Sequence, residues 1–236
     1  MFIAPKKIWN PLEKIYRDLN IAGTSRWQYD QHNLLINDPH TYSDNFNFAM
    51  KSRQRYTYAV PSLKIVEEIA KIAENGSVVE IGAGLGYWAK YLSQFNLQII
   101  AYDLKYDERN IYFDNDAQEF FPVKQGGVSS IALHHDSPLL LCWPPYNTPF
   151  AFDALSLYKG DYLIYIGESE GGCTGDQQFF NLLNEEWEEI FYNSEVLNLV
   201  GIHSAEYIYK RKTSIPLSER FLALPEKGDV SSDELY

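Results

Sequence analysis

Cysteine, long apolar runs and an apolar leader are the features this chain lacks most clearly. The 236 residues include 2 cysteines, Cys142 and Cys173, which do not suggest a disulfide framework. No apolar run approaches the ~20 residues of a membrane span. Residues 1–7, M-F-I-A-P-K-K, have no signal-peptide core. We therefore expect a cytoplasmic protein with no membrane partner.

Basic residues are also scarce. Lysine and arginine number 20 against 32 aspartates and glutamates, which leaves a net charge of −12. Nucleic-acid binders usually carry a basic face, because neutralising phosphates supplies much of their affinity. The balance favours a small molecule or a protein as partner over nucleic acid. Arg53 and Arg55, or the K-R-K run at 210–212, could form a local patch or lie on an ordinary solvated surface.

Residues 80–86, E-I-G-A-G-L-G, are the most informative segment. They follow the apolar run at 77–79 and precede a helix-like run at 87–92. Strand, glycine-rich turn and helix is the arrangement that brings backbone close to a nucleotide-like ligand, because a Cβ at the glycines would block the approach. The next apolar run ends in Asp103, a carboxylate placed to bind ribose hydroxyls.

The glycine spacing indicates which nucleotide is bound. A dinucleotide site has G-x-G-x-x-G, with the pyrophosphate on the helix N-terminus. Here the spacing is G-x-G-x-G, and Glu80 precedes it. That acid would repel a pyrophosphate and suits a cationic ligand. An oxidoreductase of the Rossmann type is therefore disfavoured, and an ordinary tight turn is the simpler alternative.

The fourth apolar run ends in a second unusual segment, C-W-P-P-Y at 142–146. Prolines and aromatics at a strand end lie where the ligand crevice of an open α/β sheet forms. The alternative is a rigid turn whose tryptophan packs into the core. A third segment, G-E-S-E-G-G-C-T-G-D at 167–176, ends the fifth run. Glu168 or Glu170 could act there as general base, or the glycines could simply form a turn.

Together these segments resemble the class I S-adenosylmethionine methyltransferases, over about 61–212 of this chain. Residues 80–86 resemble motif I of that family. The 142–146 segment resembles the (D/N/S)-P-P-(Y/F/W) motif of its amino-methyltransferases, with Trp143 in place of the polar residue. The segments at 55–62, 139–146 and 167–176 resemble a largely uncharacterised microbial branch.

The resemblance implies S-adenosylmethionine as cofactor and S-adenosylhomocysteine as product. It places the acid of motif I near the methionine end, Asp103 at the ribose, Tyr58 over the cofactor and 125–127 near the adenine. The implied cofactor residues are Tyr58, Glu80, Gly82, Ala83, Gly84, Gly86, Tyr87, Trp88, Asp103, Leu104, Gln125, Gly126 and Cys142. The implied catalytic residues are Trp143, Pro144, Tyr146 and Glu168. We expect no metal, because the adjacent histidines at 134–135 would point to opposite faces of a strand.

The expected fold is a Rossmann-like α/β core. It has a mostly parallel seven-stranded sheet, an antiparallel last strand and helices on both faces. We expect an N-terminal extension of short helices and irregular chain at 1–60, the core at 61–214 and an acidic tail at 215–236. Ser62 should cap a helix that begins the core, and Thr174 should open a later one with Trp187 inward. Two paired strands should follow at 189–200 and 206–212.

Three functions fit this pattern. The first is methyl transfer to a small molecule or protein. The second is amino-methyl transfer to nucleic acid, suggested by Pro144 and Tyr146, which could hold a planar amine. The third is a non-catalytic module that binds S-adenosylmethionine or a nucleotide, suggested by Trp143 at the polar motif position. The pattern indicates neither the acceptor nor the oligomeric state.

Overall fold

The structure, a computed structural model, describes residues 5–13, 50–104, 117–198 and 202–212. Within them, seven strands form one sheet and four α-helices and a 3₁₀ helix cover it. The strands are β1 Ser77–Ile81, β2 Gln98–Asp103, β3 Val123–Gln125, β4 Leu139–Cys142, β5 Tyr162–Gly167, β6 Trp187–Asn193 and β7 Ala205–Arg211. The helices are α1 Leu63–Ile72, α2 Tyr87–Ser93, α3 Phe150–Leu157 and α4 Gln177–Glu186, with the 3₁₀ helix at Val128–Leu133.

The strand order confirms the fold expected from the sequence. The strands run β3-β2-β1-β4-β5-β7-β6 across the sheet. Strands β1 to β5 pair with one another in parallel, and β7 is antiparallel to both β5 and β6. Strand order reverses between β1 and β4, so the carboxyl ends of these neighbours flank the crevice where ligands of open α/β sheets bind.

The core lies on both faces of the sheet because apolar side chains alternate between them. Val78 and Leu140 face α1 and α2, whereas Val79, Leu139 and Leu141 face α3, α4 and the 3₁₀ helix. Successive strand residues point to opposite faces, so continuous apolar runs such as L-L-L at 139–141 suit strands covered on both sides.

Helix α1 begins as predicted. The hydroxyl oxygen of Ser62 accepts the Ile65 N–H at 3.3 Å and donates its own proton to Glu206 at 2.6 Å. Glu206 also accepts the backbone N–H of Ser62 and the side-chain amide of Asn193. The N-terminus of α1 is therefore anchored to the antiparallel end of the sheet.

Helix α4 differs from the prediction at both ends. Asp176 is the N-cap and accepts the Phe179 N–H at 2.9 Å, whereas the Thr174 hydroxyl lies 2.6 Å from that of Tyr165. The predicted cap at Thr174 is therefore wrong, because a partner on β5 takes its hydroxyl. Trp187 is buried as expected, but it is the first residue of β6.

The described part of the N-terminal segment packs on α2. The side-chain oxygen of Gln94 accepts the Trp9 N–H at 2.6 Å, and its side-chain NH₂ donates to the Trp9 carbonyl at 3.0 Å. The Tyr87 hydroxyl accepts the Leu12 N–H and donates to Asn10. Most of the predicted 1–60 extension, and the whole 215–236 tail, lie outside the described residues. The described helices include none long and apolar enough to cross a membrane.

Candidate functional site

A cavity of about 430 Å³ opens at the carboxyl ends of β1, β2 and β4. Most of the predicted cofactor residues line it: Tyr58, Glu80, Gly82, Ala83, Gly84, Tyr87, Trp88, Asp103, Leu104, Gly126 and Cys142. Three of the predicted catalytic residues also line it: Trp143, Pro144 and Tyr146. The fold thus brings together segments that are up to about 90 positions apart in the chain. Gly86, Gln125 and Glu168 are not among the lining residues.

The glycine turn between β1 and α2 has left-handed backbone at all three glycines. Gly82, Gly84 and Gly86 have φ values of 77°, 55° and 75°, which favour glycine. No described atom lies within 4 Å of the point where a Cβ on Gly84 would be, so this glycine leaves the cavity open. A Cβ on Gly86 would lie 2.9 Å from the Phe121 Cβ. The absence of a side chain at Gly86 therefore allows the turn to pack closely against Phe121.

Asp103 ties the end of β2 to this turn. Its carboxylate Oδ2 accepts the Gly84 N–H at 2.7 Å, and the side chain is buried at the cavity wall. The Tyr102 carbonyl accepts the N–H groups of Gly82 and Ala83 at 2.9 and 3.0 Å. The acid is therefore held at a fixed position at the strand end.

Glu80 is the most unusual group in the cavity wall. Its side chain is 1% exposed, and its Oε2 has no hydrogen-bond partner among the described residues. Burial, and to a smaller extent the nearby charge of Asp103, raise the pKa of this carboxyl from 4.5 to about 8, against a lowering by the Ala89 N–H of α2. An unpaired buried carboxylate is costly, so this oxygen favours either a proton or a cationic partner.

The β3 side of the cavity is closely packed. Gly126 lines the cavity, and a Cβ there would lie 2.4 Å from the Ser130 Oγ and 2.8 Å from the Tyr102 ring. Gly127 also lines the cavity, whereas Gln125, which precedes Gly126 at the end of β3, does not. A side chain at Gly126 would therefore collide with Ser130 and Tyr102, so this glycine allows the β3 wall of the cavity to pack.

Trp143 borders the other half of the cavity in a constrained conformation. Its φ is 53°, which is uncommon for a residue with a side chain. The indole Nε1 donates to the Ser204 Oγ at 2.6 Å, and the ring stacks on Tyr58 with centroids 5.3 Å apart. The indole is thus fixed as an apolar wall, and its one polar atom is already bonded.

The two prolines that follow have bonded carbonyls. The Pro144 carbonyl accepts the Gly175 N–H at 3.2 Å, and the Pro145 carbonyl accepts the Thr148 hydroxyl at 3.1 Å. Tyr146 is 63% exposed at the cavity rim. This segment therefore presents ring surface to the cavity, and each of its two proline carbonyls accepts one hydrogen bond from the protein.

Glu168 does not reach the cavity. Its Oε2 accepts the Cys173 N–H and its Oε1 accepts the His203 N–H, each at 2.8 Å. The carboxylate therefore joins the loop after β5 to the connection between β6 and β7. Glu170 is exposed and bonds the Gln177 amide, so neither acid faces the cavity as the predicted general base would.

Several cavity residues were not predicted from the sequence. Arg53, Gln54, Tyr56 and Thr57 lie within the five residues before Tyr58. The Thr57 side chain hydrogen-bonds the half-buried Cys142 thiol, whose pKa is raised by desolvation. The position of these four residues just before Tyr58 in the sequence is the signal that could have identified them as cavity residues. Two further lining residues, Thr148 before α3 and Phe150 at its start, carry no local signature, whereas Cys173 belongs to the unusual segment at 167–176.

The paired histidines have structural partners. His134 Nε2 lies 2.9 Å from the Tyr102 hydroxyl, and His135 Nδ1 accepts the Lys159 N–H at 3.0 Å. Burial lowers the pKa of both imidazoles. The residues that the structure describes include no group of three or more metal-ligating side chains.

No family model matches this chain, and no curated protein matches it. An O-methyltransferase from Bacillus cereus, solved with S-adenosylhomocysteine, is 14% identical over 86% of this chain and 98% of that protein, with a TM-score of 0.42. The 1,6-didemethyltoxoflavin-N1-methyltransferase of Burkholderia thailandensis is 14% identical over 77% and 93%, with a TM-score of 0.41. A protein from Streptococcus mutans is 9% identical over 62% of this chain and 48% of its own, with a TM-score of 0.40, so this chain spans about half its length. At these values the likenesses do not indicate what this chain binds.

Proposed function

We propose that this protein is an S-adenosylmethionine-dependent methyltransferase. The observation that carries the proposal is the unpartnered Oε2 of Glu80, buried in the wall of a cavity that the glycine turn and Asp103 also line. A cationic, adenosine-containing ligand satisfies all three features. Its positive charge pairs with Glu80, its ribose hydroxyls meet Asp103, and the open space at Gly84 admits it.

The described residues fit this cofactor. Glu80 would hold the ammonium end, Asp103 the ribose, and Leu104 and Gly126 the adenine. When bound, S-adenosylmethionine supplies a methyl group on a positively charged sulfur, and S-adenosylhomocysteine is the product. The chain's own contribution would be to fix the acceptor in line with that group and to keep water out, which needs no covalent intermediate on the protein.

The acceptor would lie against Trp143, Pro144 and Tyr146. We propose a small molecule or a protein as acceptor, because the net charge of −12 disfavours nucleic acid. The cavity volume of about 430 Å³ is within the range of small-ligand sites. Nucleic-acid amino-methyl transfer is less well supported, since the Trp143 indole N–H is bonded to Ser204 and the Pro144 carbonyl to Gly175. The alternative is a module that binds S-adenosylmethionine without catalysis, and a measurement of turnover distinguishes it from an enzyme.

Calorimetric titration with S-adenosylmethionine and S-adenosylhomocysteine tests the cofactor. We expect micromolar binding in the intact protein and a loss of at least tenfold in Asp103→Ala, which removes both the ribose partner and the bond to Gly84. Asp136→Ala is the matched control, because this exposed aspartate precedes β4 at the opposite end of the sheet. Absence of binding by the intact protein would refute the proposal.

A screen of acceptors then separates an enzyme from a binding module. Production of S-adenosylhomocysteine from S-adenosylmethionine in the presence of small aromatic acceptors, peptides or oligonucleotides would be followed by mass spectrometry. Turnover with small molecules or peptides is the expected result. Turnover with oligonucleotides alone would favour the amino-methyltransferase alternative.

A further inference from the structure

Glu80 combines full burial with an unpaired charge-bearing oxygen, and this combination has a consequence for ligand binding. The carboxyl is 1% exposed, lines the cavity, and leaves Oε2 without a partner among the described residues. A carboxylate in this situation is poorly solvated. Without a cation beside it, the neutral acid is the more stable form.

The charged, titratable and hydrogen-bonding groups near Glu80 lie on β2, β4, α2 and the helical stretch at 50–55. Asp103 at the end of β2 adds a second negative charge. The half-buried Cys142 thiol on β4 lies close enough for desolvation and the charge of Glu80 to raise the pKa of the thiol, so it stays neutral. The Ala89 N–H of α2 favours the ionised carboxylate, but its effect is the smallest of the three contributions. The one cationic side chain among the described lining residues is Arg53, on the helical stretch at 50–55.

The protonation state of the empty site follows from these contacts. The pKa of the Glu80 carboxyl is raised to about 8 by burial and by Asp103. At pH 6.5 a group with this pKa is almost fully protonated, whereas the α-ammonium of a free amino acid, whose pKa lies well above this pH, is almost fully charged. A ligand ammonium placed beside Oε2 would stabilise the carboxylate and lower this pKa.

We propose that the ammonium group of the cofactor displaces a proton from Glu80, so that this cavity exchanges one proton for one bound cation. The inference rests on the proposed function. The protonated carboxyl and the ammonium become a carboxylate–ammonium pair, and the released proton goes to the solvent. No bond other than the O–H bond of Glu80 breaks. Affinity for the ammonium-bearing ligand therefore rises with pH, by about tenfold per pH unit well below the pKa of the free site.

Calorimetry in two buffers measures this proton directly. S-adenosylhomocysteine is titrated at pH 6.5 in phosphate and in imidazole, whose different ionisation enthalpies convert the heat difference into a number of protons released. We expect about 0.9 proton per ligand bound. The same titration with 5′-methylthioadenosine, which lacks the ammonium group, should bind more weakly and release no proton.

Glu80→Gln tests the assignment to this residue. The variant retains shape and polarity but has no proton to lose, so S-adenosylhomocysteine should bind without proton release and with nearly constant affinity between pH 6 and 7.5. Glu188→Gln on the edge strand β6 is the matched control, because this glutamate is exposed and outside the cavity. It should release the same proton as the unaltered protein.

The outcomes separate the inference from the proposed function. Tight binding of S-adenosylhomocysteine with no proton released would overturn the inference and leave the cofactor assignment intact. Equal proton release with 5′-methylthioadenosine would also overturn it, because the proton would then be linked to the nucleoside. Failure of the unaltered protein to bind S-adenosylhomocysteine would overturn both. The comparison of two ligands on the unaltered protein decides the matter even if Glu80→Gln does not fold.

Discussion

Alanine substitutions at two glycines of the same turn should have different consequences. Gly84 and Gly86 both have left-handed backbone, with φ values of 55° and 75°. Alanine in this region costs about 1–2 kcal/mol of folding free energy at either position. Gly84 has open space where the new methyl group would lie. Gly84→Ala should therefore lose only about 1–2 kcal/mol.

Gly86→Ala adds a steric cost to the same backbone strain. Its Cβ would lie 2.9 Å from the Phe121 Cβ, 3.0 Å from the Phe121 carbonyl oxygen and 3.1 Å from a Val123 methyl group. The backbone oxygen cannot rotate away, and overpacking of this kind costs about 1–3 kcal/mol. The total loss for Gly86→Ala is therefore about 2–5 kcal/mol.

Thermal unfolding measures the difference. For a domain of this size, each kcal/mol lowers Tm by about 2–4 °C, so Gly86→Ala should melt several degrees below Gly84→Ala. Binding of S-adenosylhomocysteine should show a different ranking. Gly84→Ala places a methyl group in the cavity and should weaken binding at least tenfold in a protein that is still folded. Equal Tm values, or unchanged binding by Gly84→Ala, would refute this account of the turn.

Four further substitutions test other parts of the structure. Because the pKa of Glu80 is raised from 4.5 to about 8, the folded protein holds more protons than the unfolded chain between these values, and its stability falls as pH rises through this range. Glu80→Gln should abolish this loss, so urea unfolding should show the variant to be more stable than the parent at pH 8, by a few kcal/mol, and similar to it at pH 4.5. Ser204→Ala removes the partner of the Trp143 indole N–H and should cost about 1–3 kcal/mol, with a shifted near-UV circular dichroism spectrum; an unchanged spectrum would contradict the bond. Glu168→Ala leaves two backbone N–H groups without their acceptor and should lower the free energy of unfolding by about 2–4 kcal/mol. Glu170→Ala on the surface should change it by less than about 0.5 kcal/mol. Equal losses would show that the Glu168 carboxylate does not connect the two loops.

The order of strands and helices could be predicted because each element carries a local pattern. The run at 139–141 is continuously apolar, as a strand covered on both faces requires, and α1 has a serine cap before an apolar stripe. The segment at 80–86 indicated its own turn because left-handed backbone needs glycine. These patterns involve neighbours within a few positions, so a single sequence is enough to find them.

The sequence did not determine which partners some side chains have in the folded protein, or how long one strand is. Thr174 was predicted to cap α4, but its hydroxyl pairs with that of Tyr165 on β5, and Asp176 is the cap instead. Glu168 looked like a general base because it follows a strand among glycines. The predicted strand at 189–200 begins at Trp187 and ends at Asn193 instead, because pairing with β7 sets its length.

The sequence by itself determined the strand–turn–helix element, the acid before it and the acid at the end of β2, since all three follow from patterns read along one stretch of chain. Only the tertiary structure decided how these groups are used. The bonds of Trp143 to Ser204 and of Glu168 to His203 join residues 61 and 35 positions apart. The raised pKa of Glu80 arises from burial under other elements and from Asp103 on the next strand. Desolvation and long-range hydrogen bonds depend on what surrounds a group in space, and the order of residues does not specify those surroundings until the chain has folded.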